Sequence, residues 1–171
     1  MQGRLLPKYK GRYQAHPVGY WQDEFIVARK FELDCIEFIL DYNNAEDNPL
    51  IKDGGVEEIQ MIVERTGVAV KTICADYFME APLHSEDIEI ANSSQGLMIR
   101  LLDNAVELGV TDVVIPCVDQ STLCDKPAVN RFVETLLPIV VIAEKHRINL
   151  SLETDLTPRS FIELLERFDS N

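Results

Sequence analysis

A chain of 171 residues with 46% hydrophobic composition can bury a sizeable core and reads most economically as one domain spanning residues 1–171. Sixteen Lys+Arg against 29 Asp+Glu leave a formal net charge of −13, which repels a phosphate backbone and argues against nucleic acid as a partner. No stretch approaches the roughly 18 apolar residues of a membrane span, and the basic start MQGRLLPKYKGR has no apolar secretion segment behind it, so a soluble, cytoplasmic protein with no membrane partner is expected.

In chain order, residues 1–6 read as a short strand closed by Pro7, followed by a polar loop over 8–20 and a helix over 21–31 with Trp21, Phe25 and Ala28 on one side. Residues 35–40 form an apolar strand run, and a loop rich in Asn and Asp continues to Asp53. The spacing of Val56, Ile59, Ile62 and Val63 predicts a helix over 56–66 that stops at Gly67. A strand over 68–74 leads into a long link, 75–94, with Pro82 and His84, which reads as a mobile loop over a site.

Leu97, Leu101, Ala105 and Leu108 line one face of a helix over 96–108 that ends at Gly109, and 112–117 is the next strand. A long helical segment, 126–146, contains Pro138, which should kink or split it. The strand 148–153 precedes Thr157, an N-cap, and Pro158 at the first helical position of an amphipathic helix with Phe161, Leu164, Leu165 and Phe168. The pattern is five βα units, whose crossovers require a parallel sheet covered by helices. A doubly wound sheet and part of a (β/α)₈ barrel both satisfy it.

A doubly wound nucleotide binder needs a Gly- or Ser/Thr-rich phosphate loop after its first strand, and RLLPKYKGRY carries one glycine and no helix cap. The linked phrases MQGRL, EFIVARKFELDCIEFI, TGVAVKTICADYFM, ELGVTDVVIPCVD and INLSLETDL together resemble the N-terminal portion of the sugar phosphate isomerase/epimerase family. That resemblance implies a parallel (β/α) barrel of the xylose isomerase-like TIM type, with about five of eight units present. It also implies that the chain stops after its fifth strand and begins at the end of its first.

The family holds a divalent metal (Mn²⁺, Mg²⁺ or Zn²⁺) with Glu, Asp, His and Glu at the ends of strands five to eight. Glu153 matches the first of these, as metal ligand and as the catalytic carboxylate that moves a proton beside the substrate carbonyl. The other three ligands would follow Asn171, so metal binding by this chain alone is expected to be weak or absent.

Four further residues reach the predicted active face as candidate substrate contacts: Arg4 and Glu37 from strands one and two, and Asp76 and Asp119 after strands three and four. For Arg4 the alternative is a structural ion pair, and for Glu37 a buried pairing with Arg4 or Lys71.

The remaining chemistry-bearing residues have plainer readings. Cys35, Cys74, Cys117 and Cys124 lack a CxxC spacing and read as reduced thiols, three of them in or beside strands. His16 and His84 read as solvated loop side chains, and His146 complements a helix C-terminus. The zinc-dependent DNA-repair branch of the superfamily is disfavoured, because histidines are missing from the ends of strands two and four.

The function implied is metal-assisted proton transfer on a ketose or aldose phosphate by a longer form of the chain. The alternative is a non-catalytic half-barrel that binds a ligand, or pairs with another copy or chain through its open edges.

Overall fold

The computed structural model describes residues 5–168. Four strands, β1 (Cys35–Ile39), β2 (Ala69–Cys74), β3 (Asp112–Cys117) and β4 (Asn149–Thr154), lie in the order β1-β2-β3-β4, every neighbouring pair parallel. Helices α2 (Gly55–Thr66), α4 (Ile88–Leu108) and α5 (Lys126–His146) make the crossovers; α1 (Gln22–Lys30) precedes the sheet, α3 (Tyr77–Glu80) follows β2 and α6 (Pro158–Leu165) follows β4. Of the expected first strand, residues 1–4 fall outside the described part, and Leu5 and Leu6 form a bend.

Parallel register sorts the side chains into lateral rows that alternate between the two faces of the sheet. Phe38, Ile73, Val113 and Leu150 form one row, and Phe38 packs edge-on against Trp21 at 5.5 Å between ring centroids, so this row faces the helices. Glu37, Thr72, Asp112 and Asn149 form the adjacent row and project to the opposite face. The core lies between sheet and helices, around Phe25, Ile59, Met98, Leu101, Ile115 and Phe132.

Helix ends follow the sequence signals. Gly67 and Gly109 close α2 and α4 in the left-handed conformation, and the Thr157 side chain caps α6. Gly55 opens α2 where only a missing Cβ allows the approach of Pro49, whose Cα would lie 2.6 Å from an added Cβ.

Two expectations are corrected. The link 75–94 is mostly helical: α3 occupies four residues, and α4 begins at Ile88 behind Asp87, whose carboxylate accepts from the Glu89 N–H at 2.9 Å. The run Asn92-Ser93-Ser94-Gln95-Gly96 has low helix propensity, but burial of Ala91 and Ser94 overrides it, the Ser94 hydroxyl donating to the Ala81 carbonyl at 2.9 Å. Of the kink or split expected at Pro138, the split does not occur: α5 runs unbroken for 21 residues with Pro138 on its exposed side.

Candidate functional site at the strand C-termini

Parallel strands deliver their carboxyl ends to one edge of the sheet, and three of the expected residues arrive there or on the face beneath it. Glu153 stands next to the last residue of β4, opposite Pro116 of β3, and is exposed; among the described residues β4 has a strand partner on one side only. Asp76 lies two residues beyond Cys74, whose Sγ–H donates to its Oδ1 at 2.9 Å. Glu37 projects from the middle of β1 onto the same face.

These three carboxyls share one electrostatic environment. Burial pushes the Glu37 carboxyl above its ordinary range, and the charges of Asp76 and Glu153 push in the same direction. Burial also raises Asp76; the Cys74 hydrogen bond opposes the rise, while Asp41 and Glu153 add to it. Lys71 is not the partner of Glu37, since its ammonium reaches the Gly109 carbonyl at 3.3 Å.

Arg4 lies outside the described residues. Asp119 does not join the group. It is exposed at the start of a 3₁₀ turn with φ of +51°, and among the described residues no side-chain hydrogen bond engages it.

Several residues at this edge were not singled out from the sequence. Asp41, buried just after β1, accepts from Arg12 Nη2 at 2.7 Å, from the Asn43 N–H at 3.0 Å and from Asn43 Nδ2 at 3.1 Å. The Arg12 charge partly offsets the rise at Asp76, so the guanidinium acts on the same edge. Tyr42 and Tyr77 pack with ring centroids 5.2 Å apart, and burial followed by the Tyr42 neighbour raises the Tyr77 hydroxyl pKa. A Tyr and an Asp directly after a strand were the available signals; the Arg12–Asp41 pair spans 29 residues and has no local signature.

The loop preceding α1 folds back as a hairpin. Tyr9 and Arg12 exchange backbone hydrogen bonds of 2.9 and 3.0 Å around Lys10 and Gly11, both at positive φ. Lys8 Nζ lies 4.8 Å from the Tyr13 ring centroid and Lys10 Nζ 5.2 Å from that of Tyr9.

The loop histidines are not solvated. His16 is 3% exposed and packs 5.7 Å from Phe38 and 6.4 Å from Trp21, and among the described residues its buried Nε2 has no hydrogen-bond partner. Burial lowers its pKa to about 4 against an opposing pull from Asp41. His84 is buried beside Phe132, and burial followed by the Arg131 charge lowers its pKa. Both loops are packed onto the core by neighbouring aromatic rings, which a reading of local polarity does not register. His146 does end α5 in its last turn.

Among the described residues no disulfide forms: Cys74 and Cys117 are buried, Cys35 is half-buried and Cys124 is exposed. Burial, with the Asp155 charge, pushes the Cys117 thiol up to about 12 and leaves it unreactive.

The fit to a divalent metal was tested on the side chains present. Among the described residues no three His, Cys, Asp or Glu side chains converge to hold an ion, so these residues do not make a metal centre by themselves. Among the described residues no helix is long and apolar enough to cross a membrane.

Comparison with solved structures supplies the deciding observation. A xylose isomerase-like TIM barrel protein from Mycobacterium smegmatis, solved in complex with magnesium, superposes with a TM-score of 0.68 at 19% identity, over 91% of this chain and 55% of that one. The chain has the fold of part of a TIM barrel.

D-psicose 3-epimerase from Clostridium cellulolyticum, solved with D-tagatose, matches this partial barrel with a TM-score of 0.66 at 18% identity, over 88% of this chain and 55% of that one. A sugar phosphate isomerase/epimerase from Parabacteroides distasonis matches with a TM-score of 0.57 at 12% identity, over 90% and 61% of the respective chains. The chain thus spans about half the length of the barrel proteins it matches. No protein-family model and no curated protein matches the sequence.

Proposed function

We propose that the chain carries part of a sugar isomerase or epimerase site of the kind that moves a proton beside a carbonyl, with a ketose or aldose phosphate as substrate. The observation that carries this reading is the grouping of Glu37, Asp76 and Glu153 on one face and edge of a parallel sheet whose fold is shared with sugar epimerases. In barrels of this kind the chemistry stands at the strand C-termini.

Glu153, exposed and facing solvent, takes the proton from the carbon next to the carbonyl. The C–H electron pair moves into the carbonyl to form an enediolate, and return of the proton to either carbon, or to the other face, gives the isomer or epimer. Asp76 and Glu37 stand on the same face and orient the substrate by accepting hydrogen bonds from its hydroxyls. Arg12, fixed by Asp41, binds and orients. The described residues do not complete a metal site, so no step is routed through one; Glu153 is proposed as one ligand of a site whose other ligands come from beyond them.

The test is exchange of the carbon-bound proton of D-fructose 6-phosphate in D₂O, followed by NMR with Mn²⁺ present. Exchange that is lost in Glu153→Gln supports the assignment. Equal exchange in Glu153→Gln removes Glu153 from it, and no exchange above a protein-free control removes the catalytic reading for this chain.

A second reading has its own observation. Beside β4, a cavity of about 570 Å³ opens between α5 and α6, lined by Leu136, Val140, Leu152, Leu165 and Phe168 among others. Together with the one-sided pairing of β4, this favours a non-catalytic half-barrel that associates with another chain. Light scattering that shows a stable monomer would count against it.

A further inference from the structure

Lys8, Lys10 and Arg12 place three of the chain's sixteen cations within five residues of a molecule whose net charge is −13. The hairpin that gathers them is closed by the two Tyr9–Arg12 backbone bonds, and its turn residues have φ of +47° at Lys10 and +83° at Gly11. A two-residue turn with both φ values positive favours Asn-Gly, because asparagine tolerates the left-handed region that a longer side chain enters at a cost. Lysine stands there instead, at the cost of a left-handed backbone, and its ammonium lies over the Tyr9 ring.

The charges are positioned without being neutralised. Tyr13 and Tyr9 hold Lys8 and Lys10 through their ring faces, and among the described residues no carboxylate forms an ion pair with either lysine. Arg12 spends one nitrogen on Asp41, which ties the hairpin to the end of β1 beside the carboxylate edge; its side chain remains 46% exposed, with further N–H donors free to bind.

We propose that this hairpin is an anion subsite that takes the phosphate group of a phosphorylated sugar, while the neighbouring carboxylate edge faces the carbons bearing hydroxyl and carbonyl groups. The sugar half rests on the function proposed above; the anion half stands on the hairpin alone. An edge lined by Asp41, Asp76, Glu37 and Glu153 repels a phosphate, so an anionic substrate needs a local cationic patch to bind beside it. A neutral sugar gains nothing from one. Three cations are too few to hold a nucleic-acid backbone against a charge of −13.

The test is calorimetric titration of the whole chain with inorganic phosphate, D-fructose 6-phosphate and D-fructose, at low and high salt, in the native protein, Lys8→Gln/Lys10→Gln, Lys8→Arg/Lys10→Arg and Lys10→Asn. The expected results are tighter binding of the sugar phosphate than of the free sugar, loss of about tenfold or more in phosphate affinity in the double Gln variant, and retention in the double Arg variant. Lys10→Asn should weaken phosphate binding while raising the melting temperature by about 2–4 °C, which a purely structural lysine would not do.

If inorganic phosphate binds with the same variant dependence but the sugar adds no affinity, the anion site stands and the sugar reading fails. Phosphate binding unchanged in a folded double Gln variant, or no phosphate binding at low salt, overturns the proposal.

Discussion

The Cys74 thiol donates to the Asp76 carboxylate across 2.9 Å, two residues apart at the end of β2, and this bond opposes the upward push of burial on the same acid. Cys74→Ala should therefore raise the Asp76 pKa further. Carbon-detected NMR titration of the Asp76 side chain reads it, and an unchanged or lowered value would contradict the arrangement.

Glu153 acts on its neighbours through charge. Glu153→Gln removes a carboxylate that raises both Glu37 and Asp76, so both pKa values should fall in the same titration. Because Glu153 is exposed, unfolding stability should change by no more than about 0.5 kcal/mol. Any proton exchange on a sugar should fall by about 10²–10⁴.

His16 sets an acid limit on stability. Its folded pKa of about 4 lies below the ordinary 6.5, so between these values the unfolded chain binds more protons and stability falls as pH falls. The interval of about 2.5 pH units corresponds to about 3 kcal/mol, present above pH 6.5 and lost by pH 4. Glu24, Glu37 and Asp76, all raised by burial, work in the opposite sense, since their penalty grows as pH rises above the ordinary carboxylate range. Comparing urea unfolding of the native chain and His16→Phe from pH 7 to 4 isolates the histidine. The variant should lose less stability on acidification, and parallel curves would refute the shift.

Gly55→Ala should destabilise the chain by about 2–3 kcal/mol, because the new methyl meets the backbone of Pro49 and neither segment is a flexible side-chain end. Thermal unfolding checks it; a neutral result would mean that the start of α2 can shift.

Arg12→Ala leaves Asp41 buried with only its Asn43 bonds, yet the lost partner is half exposed, so the cost should be about 1–2 kcal/mol in urea unfolding, below that of a fully buried pair. Asp41→Asn combined with Arg12→Ala should recover part of it.

Much of the fold was legible from local signals: apolar runs at 35–40, 112–117 and 148–153 became strands, and Gly67, Gly109 and Thr157 mark helix ends through backbone geometry that each residue type favours on its own. The segment 75–94 was misread because the pull toward helix comes from burial of Ala91 and Ser94, a tertiary effect. For the candidate site, strand position in the sequence was enough to put Glu37, Asp76 and Glu153 on one face and edge of the sheet. Asp41, Arg12 and the packing of His16 were not legible, since each depends on contacts between segments that only folding brings together.

Among the described residues every connection from helix to strand repeats one backbone device: Glu32 turns left-handed after α1 with φ of +57°, Leu33 donating back to Ala28 at 3.0 Å, and three later copies follow. Gly67, Gly109 and Arg147 each turn left-handed after α2, α4 and α5, and the residues following Gly109 and Arg147 donate back to Ala105 and Ala143 at 3.0 Å. In the last copy an arginine occupies the glycine place with φ of +59°, a conformation costing about 1 kcal/mol or more relative to glycine. That arginine also lines the opening beside β4. The last turn therefore gives up backbone ease to place an arginine beside Glu144 and Asn149 in the lining of that recess, so the open border of the sheet carries charge and hydrogen-bonding groups among its leucines.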